Sequence, residues 1–363
     1  MRNGEARETW QWEPSAPQVP SSALTGGQPN RSPSIKSAQS SCVRRSSGCP
    51  HQSVIFFFGV AMIPYARLRF GRGFVPGHAA AYFVQRCVTH PTVRRCVASV
   101  LAASVRSRHA TLATRREPDL QDALGRLERD GIAMLPNLFS TAELADVVSF
   151  FLSQPVAAPG GGCVPRDGLP AGATMAAYHL ATVVACPWLM TAINRADILR
   201  LASAFLGCKP TLCSVGVRWS FPGSKSPAAT QAFHRDPDDW RFLKLFVYLT
   251  DVVDGESGPH IFVAGSHNTR GPLRAKTYVQ EQIEARFGKQ NMRAILGARG
   301  TTFIADTSGI HAGIPPRRAP RLLLQAQYSI LPNFALHYRP IAVPGRHCLD
   351  SYVNRLILTS TGN

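Results

Sequence analysis

Between Thr211 and Ile330 the chain passes through five short stretches rich in β-branched, aromatic and aliphatic residues, separated by turn signals. They are Thr211–Phe221, Leu243–Thr250, His260–Val263, Thr301–Ala305 and Arg321–Ile330. Strands this short, at regular spacing, predict a β-barrel or sandwich. The last stretch constrains the fold most. Successive strand side chains point to opposite faces, so Arg321, Leu323, Gln325, Gln327 and Ser329 share one face. Leu322, Leu324, Ala326, Tyr328 and Ile330 share the other. An arginine and three polar residues opposite an apolar face suit a central strand only where it lines a polar cavity.

The strands follow a helical lead-in. Leu120, Leu124 and Leu127 predict a helix that stops at Gly131, followed by a short strand over Ile132–Leu135. Ser140-Thr141-Ala142-Glu143 is a capping box, in which the Ser hydroxyl and Glu carboxylate satisfy backbone donors at a helix start. The apolar stripe of Leu144, Val147, Val148 and Phe151 continues that helix. The Gly/Pro-rich run Ala157–Ala173 reads as a loop near a site entrance, and two helical pieces follow around Trp188–Asn194 and Asp197–Phe205. Helices should therefore pack outside a β core.

Charge is unevenly spread. The chain has 363 residues and a formal net charge of +18. Residues 1–116 hold 16 Lys/Arg against three acids, whereas the remainder holds 24 bases against 19 acids. The excess thus belongs to the N-terminal third, and the β region is only mildly basic, which gives no basis for a specific nucleic-acid partner. Residues 1–50, rich in Ser, Pro, Gly and Gln, are expected to be disordered. Met62 opens a change of texture, so 1–61 is either a disordered or a non-native upstream extension. Residues 62–118 form a basic, partly helical region, 119–335 the catalytic-type domain and 336–363 a C-terminal extension. A basic helix within 75–116 would either touch an anionic surface or pack on the domain's flank. Val54–Ile63 is the longest apolar run, ten residues, about half of a membrane span. Nine cysteines without a C-x-x-C pair favour reduced thiols and a cytoplasmic setting.

His234-Arg235-Asp236 carries the chemistry together with His311. A His-x-Asp at a strand end can place an imidazole and a carboxylate on adjacent vertices of an octahedral metal, and a distant second His completes a facial triad. Three coordination positions then stay open for co-substrate and dioxygen. Chance alone gives roughly 0.7 His-x-acid matches in a chain with 11 His and 22 acids. The motif therefore needs its context. Arg321 follows His311 by ten residues and begins the strand with the polar face. A guanidinium there can grip the distal end of a dicarboxylate through two parallel hydrogen bonds. Gly300-Thr301-Thr302-Phe303-Ile304-Ala305-Asp306 leads as a buried strand into the His311 turn.

The ordered series of motifs resembles the phytanoyl-CoA dioxygenase family. It runs His234-Arg235-Asp236, Leu245-Phe246-Val247-Tyr248-Leu249-Thr250-Asp251-Val252, Gly255-Glu256-Ser257-Gly258-Pro259, Gly265-Ser266-His267, then His311 and Arg321. The opening Asp130-Gly131-Ile132 and Leu135-Pro136 is similar as well, so the likeness spans 119–335, about 60% of the chain. Gly300-Thr301 stands where that family often has Gly-Asp. The resemblance implies a mainly β fold with flanking helices around a double-stranded β-helix, the cupin-like jelly roll. It implies Fe(II) held by His234, Asp236 and His311, with 2-oxoglutarate and O₂ as co-substrates and Arg321 as the 2-oxoglutarate anchor. The activity implied is a dioxygenase that hydroxylates a C–H bond of a small molecule and releases succinate and CO₂. Asp236 favours hydroxylation over halogenation, because related halogenases lack the carboxylate. The run Ala157–Ala173 matches nothing that would carry over a substrate.

Other residues hold two readings. Lys244 and Phe246 share a strand face with Tyr248, and if that face points inward they join the cofactor-binding set, Lys244 meeting a carboxylate. Lys244 reads equally as a snorkelling surface lysine. Arg218 is expected to be a salt-bridged structural arginine, with an acidic substrate as the other possibility. His260 and His267 read as turn residues; His179, His337 and His347 read as structural. The rival class is a catalytically inactive jelly-roll binding module with a basic N-terminal anchor. A metal-dependent cupin isomerase or a 2-oxoglutarate-independent dioxygenase would need no Arg321.

Overall fold

A computed structural model describes Leu68, Phe70, Gly71 and residues 74–112, 118–158, 162–222, 231–273, 277–342 and 349–359. The expectations for 1–50, Val54–Ile63, Met62 and His347 lie outside them. The basic region folds as two helices, α1 (Pro76–Cys87) and α2 (Pro91–Arg106), each begun by a proline whose fixed φ suits a first helical position. Ala98 and Ala102 of α2 are buried in the main core cluster, so α2 packs on the flank of the β structure.

α3 (Pro118–Asp130) ends at Gly131, whose φ of +83° only glycine adopts without strain. A Cβ there would come within 2.5 Å of His267 and 2.9 Å of Phe262. β1 (Ile132–Leu135) follows, and α4 (Thr141–Ser153) starts with the expected capping box, Glu143 N–H donating to Ser140 Oγ and Ser140 N–H to the Glu143 carboxylate. The supposed loop Ala157–Ala173 contains a small hairpin, Val156–Ala157 paired with Cys163–Val164. Two-residue strands are too short for a periodicity to reveal them. β2 (Met175–Ala177) and three helices, α5 (Leu180–Ala185), α6 (Leu189–Ile193) and α7 (Ala196–Leu206), complete the lead-in.

The strands of the β core that follow are β3 (Thr211–Ser220), β4 (Phe242–Tyr248), β5 (His260–Val263), β6 (Met292–Ile295), β7 (Thr302–Ala305), β8 (His311–Gly313) and β9 (Arg321–Ser329), and a short parallel pair, Ile341–Ala342 with Leu358–Thr359, lies beyond them. α8 (Gln280–Phe287) lies between β5 and β6, and α9 (Ser351–Asn354) lies near the C-terminal end. Hydrogen bonding arranges the strands into a six-stranded sheet, β1-β7-β4-β9-β3-β2, and a three-stranded sheet, β8-β5-β6. All these pairings are antiparallel. The fold is thus mainly β with flanking helices around a two-sheet jelly-roll core.

β9 shows how its alternation is used. Leu322, Leu324, Ala326 and Tyr328 join the cluster that includes Leu127, Phe151, Ile193 and Phe205 of the helices. Leu323 belongs to a separate cluster with Phe246, Phe262 and Phe303, between the sheets. Arg321, Gln325, Gln327 and Ser329 share the Leu323 face and are buried, as the polar-cavity reading requires. Each fully buried large apolar side chain contributes roughly 1.5–3 kcal/mol, so the helix-facing layer is the principal stabilising element. Val353 of α9 and the following Ile357 belong to that same layer.

Candidate metal centre

His234 lies outside the named strands but is bound to one. Its N–H donates to the His311 carbonyl at 2.9 Å, and the His311 N–H returns the bond at 3.0 Å. The Asp236 N–H donates to the Thr307 carbonyl at 2.9 Å. Segment 234–236 therefore extends the edge of the small sheet beside β8. Alternation turns His234 and Asp236 to the same side as His311, with Arg235 reversed. The two imidazole rings are 4.2 Å apart between centroids.

The donor atoms converge. His234 Nε2 lies 3.4 Å from Asp236 Oδ1 and His311 Nε2 lies 3.3 Å from Asp236 Oδ2. One ligand atom from each of the three residues falls within 4.8 Å of the others, the only such group among the described residues. His234 Nδ1 is 2.8 Å from the Ala232 carbonyl and His311 Nδ1 is 3.0 Å from the Gly309 carbonyl. A carbonyl oxygen only accepts, so each Nδ1 carries a hydrogen, which leaves each Nε2 as the atom able to ligate a metal beside the carboxylate. Two imidazole lone pairs and a carboxylate aimed at one point are the donor set of a divalent transition metal. The residues present fit such an ion.

Charge around the triad is set by burial and by one lysine. Lys244 of β4, buried, donates from Nζ to Asp236 Oδ2 at 2.7 Å and also contacts Asp238 Oδ2 at 2.8 Å. Burial opposes the ammonium charge, but Asp236 and Asp238 outweigh it and raise the Lys244 pKa. Burial also opposes ionisation of Asp236, yet Lys244 and the two imidazoles hold its carboxyl well below the usual carboxylate range. For His234, burial is outweighed by Asp236 and the pKa rises. His311 sits deeper, and burial, reinforced by His234, lowers it.

Arg321 opens β9 and is 2% exposed. Its Nη atoms donate to the Ile314 carbonyl and to Ser220 Oγ, each at 3.2 Å, and its Nε is buried without a hydrogen-bond partner. Among the described residues no carboxylate lies within ion-pair distance of it. A buried guanidinium left without an anion is costly, so an anionic ligand is the natural complement. Arg218, on the neighbouring β3, is pushed down to about 10 by burial and then by the charge of Arg321. Gly258, at φ +77°, lets its chain pass against the Ile314–Pro316 backbone that holds Arg321; a Cβ there would lie 2.6 Å from Pro316 N.

His260 stands at the start of the expected strand His260–Val263 and not in the preceding turn. It begins β5, is 5% exposed, and stacks on His311 with centroids 5.4 Å apart and planes 19° from parallel. Its Nε2 is buried and unpartnered, and burial, His311 and Arg321 together drive its pKa well below the ordinary histidine value. Phe246 lies beneath it, 4.9 Å from both His260 and Phe303. Lys244 and Phe246 thus share the inward face, Lys244 against the triad carboxylate and Phe246 against His260. The stretch His260–Val263 already reads as a strand, but which way His260 turns, and that Asp238 meets Lys244, are not legible until register and packing are known. His267 lies in a turn, as expected, but its Nε2 meets the Glu128 carbonyl in the last turn of α3, at 3.2 Å, and does not cap its own turn.

No family model matches the sequence, and no curated protein matches it. Solved structures do. SnoN, a non-heme alpha ketoglutarate dependent epimerase from nogalamycin biosynthesis, is 22% identical over 59% of this chain and 84% of its own, at a TM-score of 0.44. EctD from S. alaskensis in its apoform is 19% identical over 60% and 80%, at 0.45. HygX from Streptomyces hygroscopicus, solved with nickel and 2-oxoglutarate, is 15% identical over 63% and 91%, at 0.42. Among the described residues no helix is long and apolar enough to cross a membrane.

Proposed function

We propose that the chain is an Fe(II)- and 2-oxoglutarate-dependent dioxygenase that hydroxylates a C–H bond of a small molecule and releases succinate and CO₂. One observation carries the reading. Two Nε2 atoms and a carboxylate converge inside a β core that also buries a guanidinium, Arg321, with no carboxylate partner among the described residues. A metal site alone has no need of the second feature, and a dicarboxylate co-substrate explains both. His234, Asp236 and His311 would hold the iron. Arg321 would bind the distal carboxylate of 2-oxoglutarate, with Arg218 adding positive charge on the adjoining strand. When bound, iron with O₂ and 2-oxoglutarate supplies the oxidising power for attack on an unactivated C–H bond. The backbone acceptors at Ala232 and Gly309 keep both imidazoles in the ligating tautomer. Lys244 keeps Asp236 ionised and oriented. Phe246, Phe303 and His260 form an inner wall that excludes water behind His311.

A second reading is favoured by Lys244, whose ammonium already supplies a cation to Asp236. In that reading the chain is a catalytically inactive jelly-roll binding module. Anaerobic titration of the full chain with Fe(II), then with 2-oxoglutarate, separates the two. The oxygenase produces a visible metal-to-2-oxo-acid absorption band and, on admission of O₂, succinate. Absence of both leaves the binding module.

A further inference from the structure

A cavity of about 360 Å³ lies on the reverse side of the triad segment, walled by the start of α2, by the loop after β5 and by the turn before β8. It is separate from the metal centre but built on the same backbone. Arg235, whose side chain alternation turns away from the triad, lines it, and so do Asp306 and Ser308 from the turn that delivers His311.

Four guanidiniums line this cavity: Arg94 and Arg95 from the first turn of α2, Arg235 and Arg241. Glu128 and Asp306 are the carboxylates in its wall, and the buried Asp239 acts on Arg94 from behind it, so the four guanidiniums still outnumber the carboxyl groups around them. Among the described residues none of the four arginines has a carboxylate within ion-pair distance. Arg94 is committed to the carbonyls of Gln85, Val88 and Asp239 and acts as a fixed charge. Arg95 donates to Asn268 Oδ1. Arg235, 4% exposed, donates to the Ser308 carbonyl and Thr269 Oγ1, and its guanidinium also lies against Tyr278. Arg241 lies over the Phe205 ring at 4.1 Å and makes no hydrogen bond among the described residues.

The backbone adds to this charge. α2 is 16 residues long, has no side-chain cap at its N-terminus and no acid in its first turn. Thr89 and Pro91 bring that terminus to the cavity wall. Pro91 has no N–H and the Arg94 N–H is bonded to the His90 carbonyl, so what this terminus adds is the positive end of the helix dipole, which favours an oxyanion.

We propose that this cavity is a binding site for a phosphate-bearing small anion, contacted by Arg95, Arg235 and Arg241 at the N-terminus of α2. An excess of positive charge and planar guanidiniums brought to one cavity from three segments suit an oxyanion with several acceptor oxygens. The volume leaves room for an organic group beyond the phosphate.

The test is calorimetric titration of the full chain, without added metal, using inorganic phosphate in one arm and glycerol 3-phosphate in the other. Saturable binding is expected, weakening as salt is raised. The double variant Arg95→Gln/Arg241→Gln should lose affinity by about tenfold or more, since it removes two charged contacts. Both residues have solvent-accessible side chains, and the melting curve of the variant checks its fold; if the double variant does not fold, each single variant should show a smaller loss. Arg321→Ala should leave the binding unchanged. Tighter binding of the ester identifies a phosphorylated metabolite as the ligand, and equal binding identifies the free ion. No saturable binding in either arm overturns the proposal. So does a folded double variant that binds as wild type does, or loss of binding in Arg321→Ala with retention in the double variant, which would assign the phosphate to the co-substrate pocket.

Discussion

Replacing Arg321 with alanine should separate co-substrate binding from folding. In the ligand-free protein the guanidinium gives two hydrogen bonds, to the Ile314 carbonyl and Ser220 Oγ. Hydrogen bonds from a charged donor are worth roughly 1.5–3 kcal/mol each. Against them stands the cost of holding an unpaired guanidinium out of water, still several kcal/mol after relaxation. The two contributions oppose one another, so the variant should unfold in urea close to the wild-type midpoint. Binding of 2-oxoglutarate behaves differently. Removing one partner of a desolvated charge pair costs on the order of 2–5 kcal/mol. At about 1.4 kcal/mol per factor of ten, affinity should fall about 30-fold to several-thousand-fold. Arg321→Lys should recover only part, because an ammonium cannot make two parallel bonds to a carboxylate. The assay is anaerobic titration of Fe(II)-loaded protein with 2-oxoglutarate, following the visible charge-transfer band, beside urea unfolding of the metal-free protein. Unchanged co-substrate affinity in Arg321→Ala would refute the anchor assignment and, with it, the argument for a 2-oxo acid. Loss of fold without loss of affinity per folded molecule would make Arg321 a structural residue.

Three further expectations concern the same molecule. His234→Ala, Asp236→Ala and His311→Ala should each weaken Fe(II) by more than about 100-fold with the circular dichroism preserved, exceeding the effect of losing an outer hydrogen-bond partner; iron binding as tight as wild type in any of them removes that residue from the ligand set. Lys244→Met leaves Asp236 and Asp238 without their shared cation, so the metal-free protein should lose about 3–5 kcal/mol in urea unfolding. An unchanged unfolding midpoint contradicts the role given to Lys244. Asp350 caps α9 through the Val353 N–H and pairs with Lys209 at 2.5 Å; although burial opposes its ionisation, these partners lower its pKa. A folded-state carboxyl held below the unfolded value of about 3.9 adds stability above that pH and loses it as pH falls further. Asp350→Ala should therefore cost about 1–2 kcal/mol at neutral pH and distinctly less near pH 3, and an equal cost at both contradicts the pairing.

What could be read from the sequence were the features written in local chemistry. The Ser140–Glu143 capping box, the Gly131 stop and the alternation of β9 each depend on a few neighbouring residues, and each stands in the fold as read. The pairing of Val156–Ala157 with Cys163–Val164 was not legible, because strands that short have no period. His234, Asp236, His311 and Arg321 could be picked out because the residue types and their order suffice to suggest a ligand set. Their convergence could not: it depends on the paired backbone bonds between His234 and His311, across 77 positions of chain. Placing Lys244 between two carboxylates, stacking His260 on His311 and gathering four arginines behind the triad are likewise products of sheet register and helix docking. Sequence fixes which side chains are available and which face of a strand each occupies. Only the tertiary structure decides which faces meet, because long-range strand pairing and burial bring together charges whose separation along the chain carries no information about their separation in space.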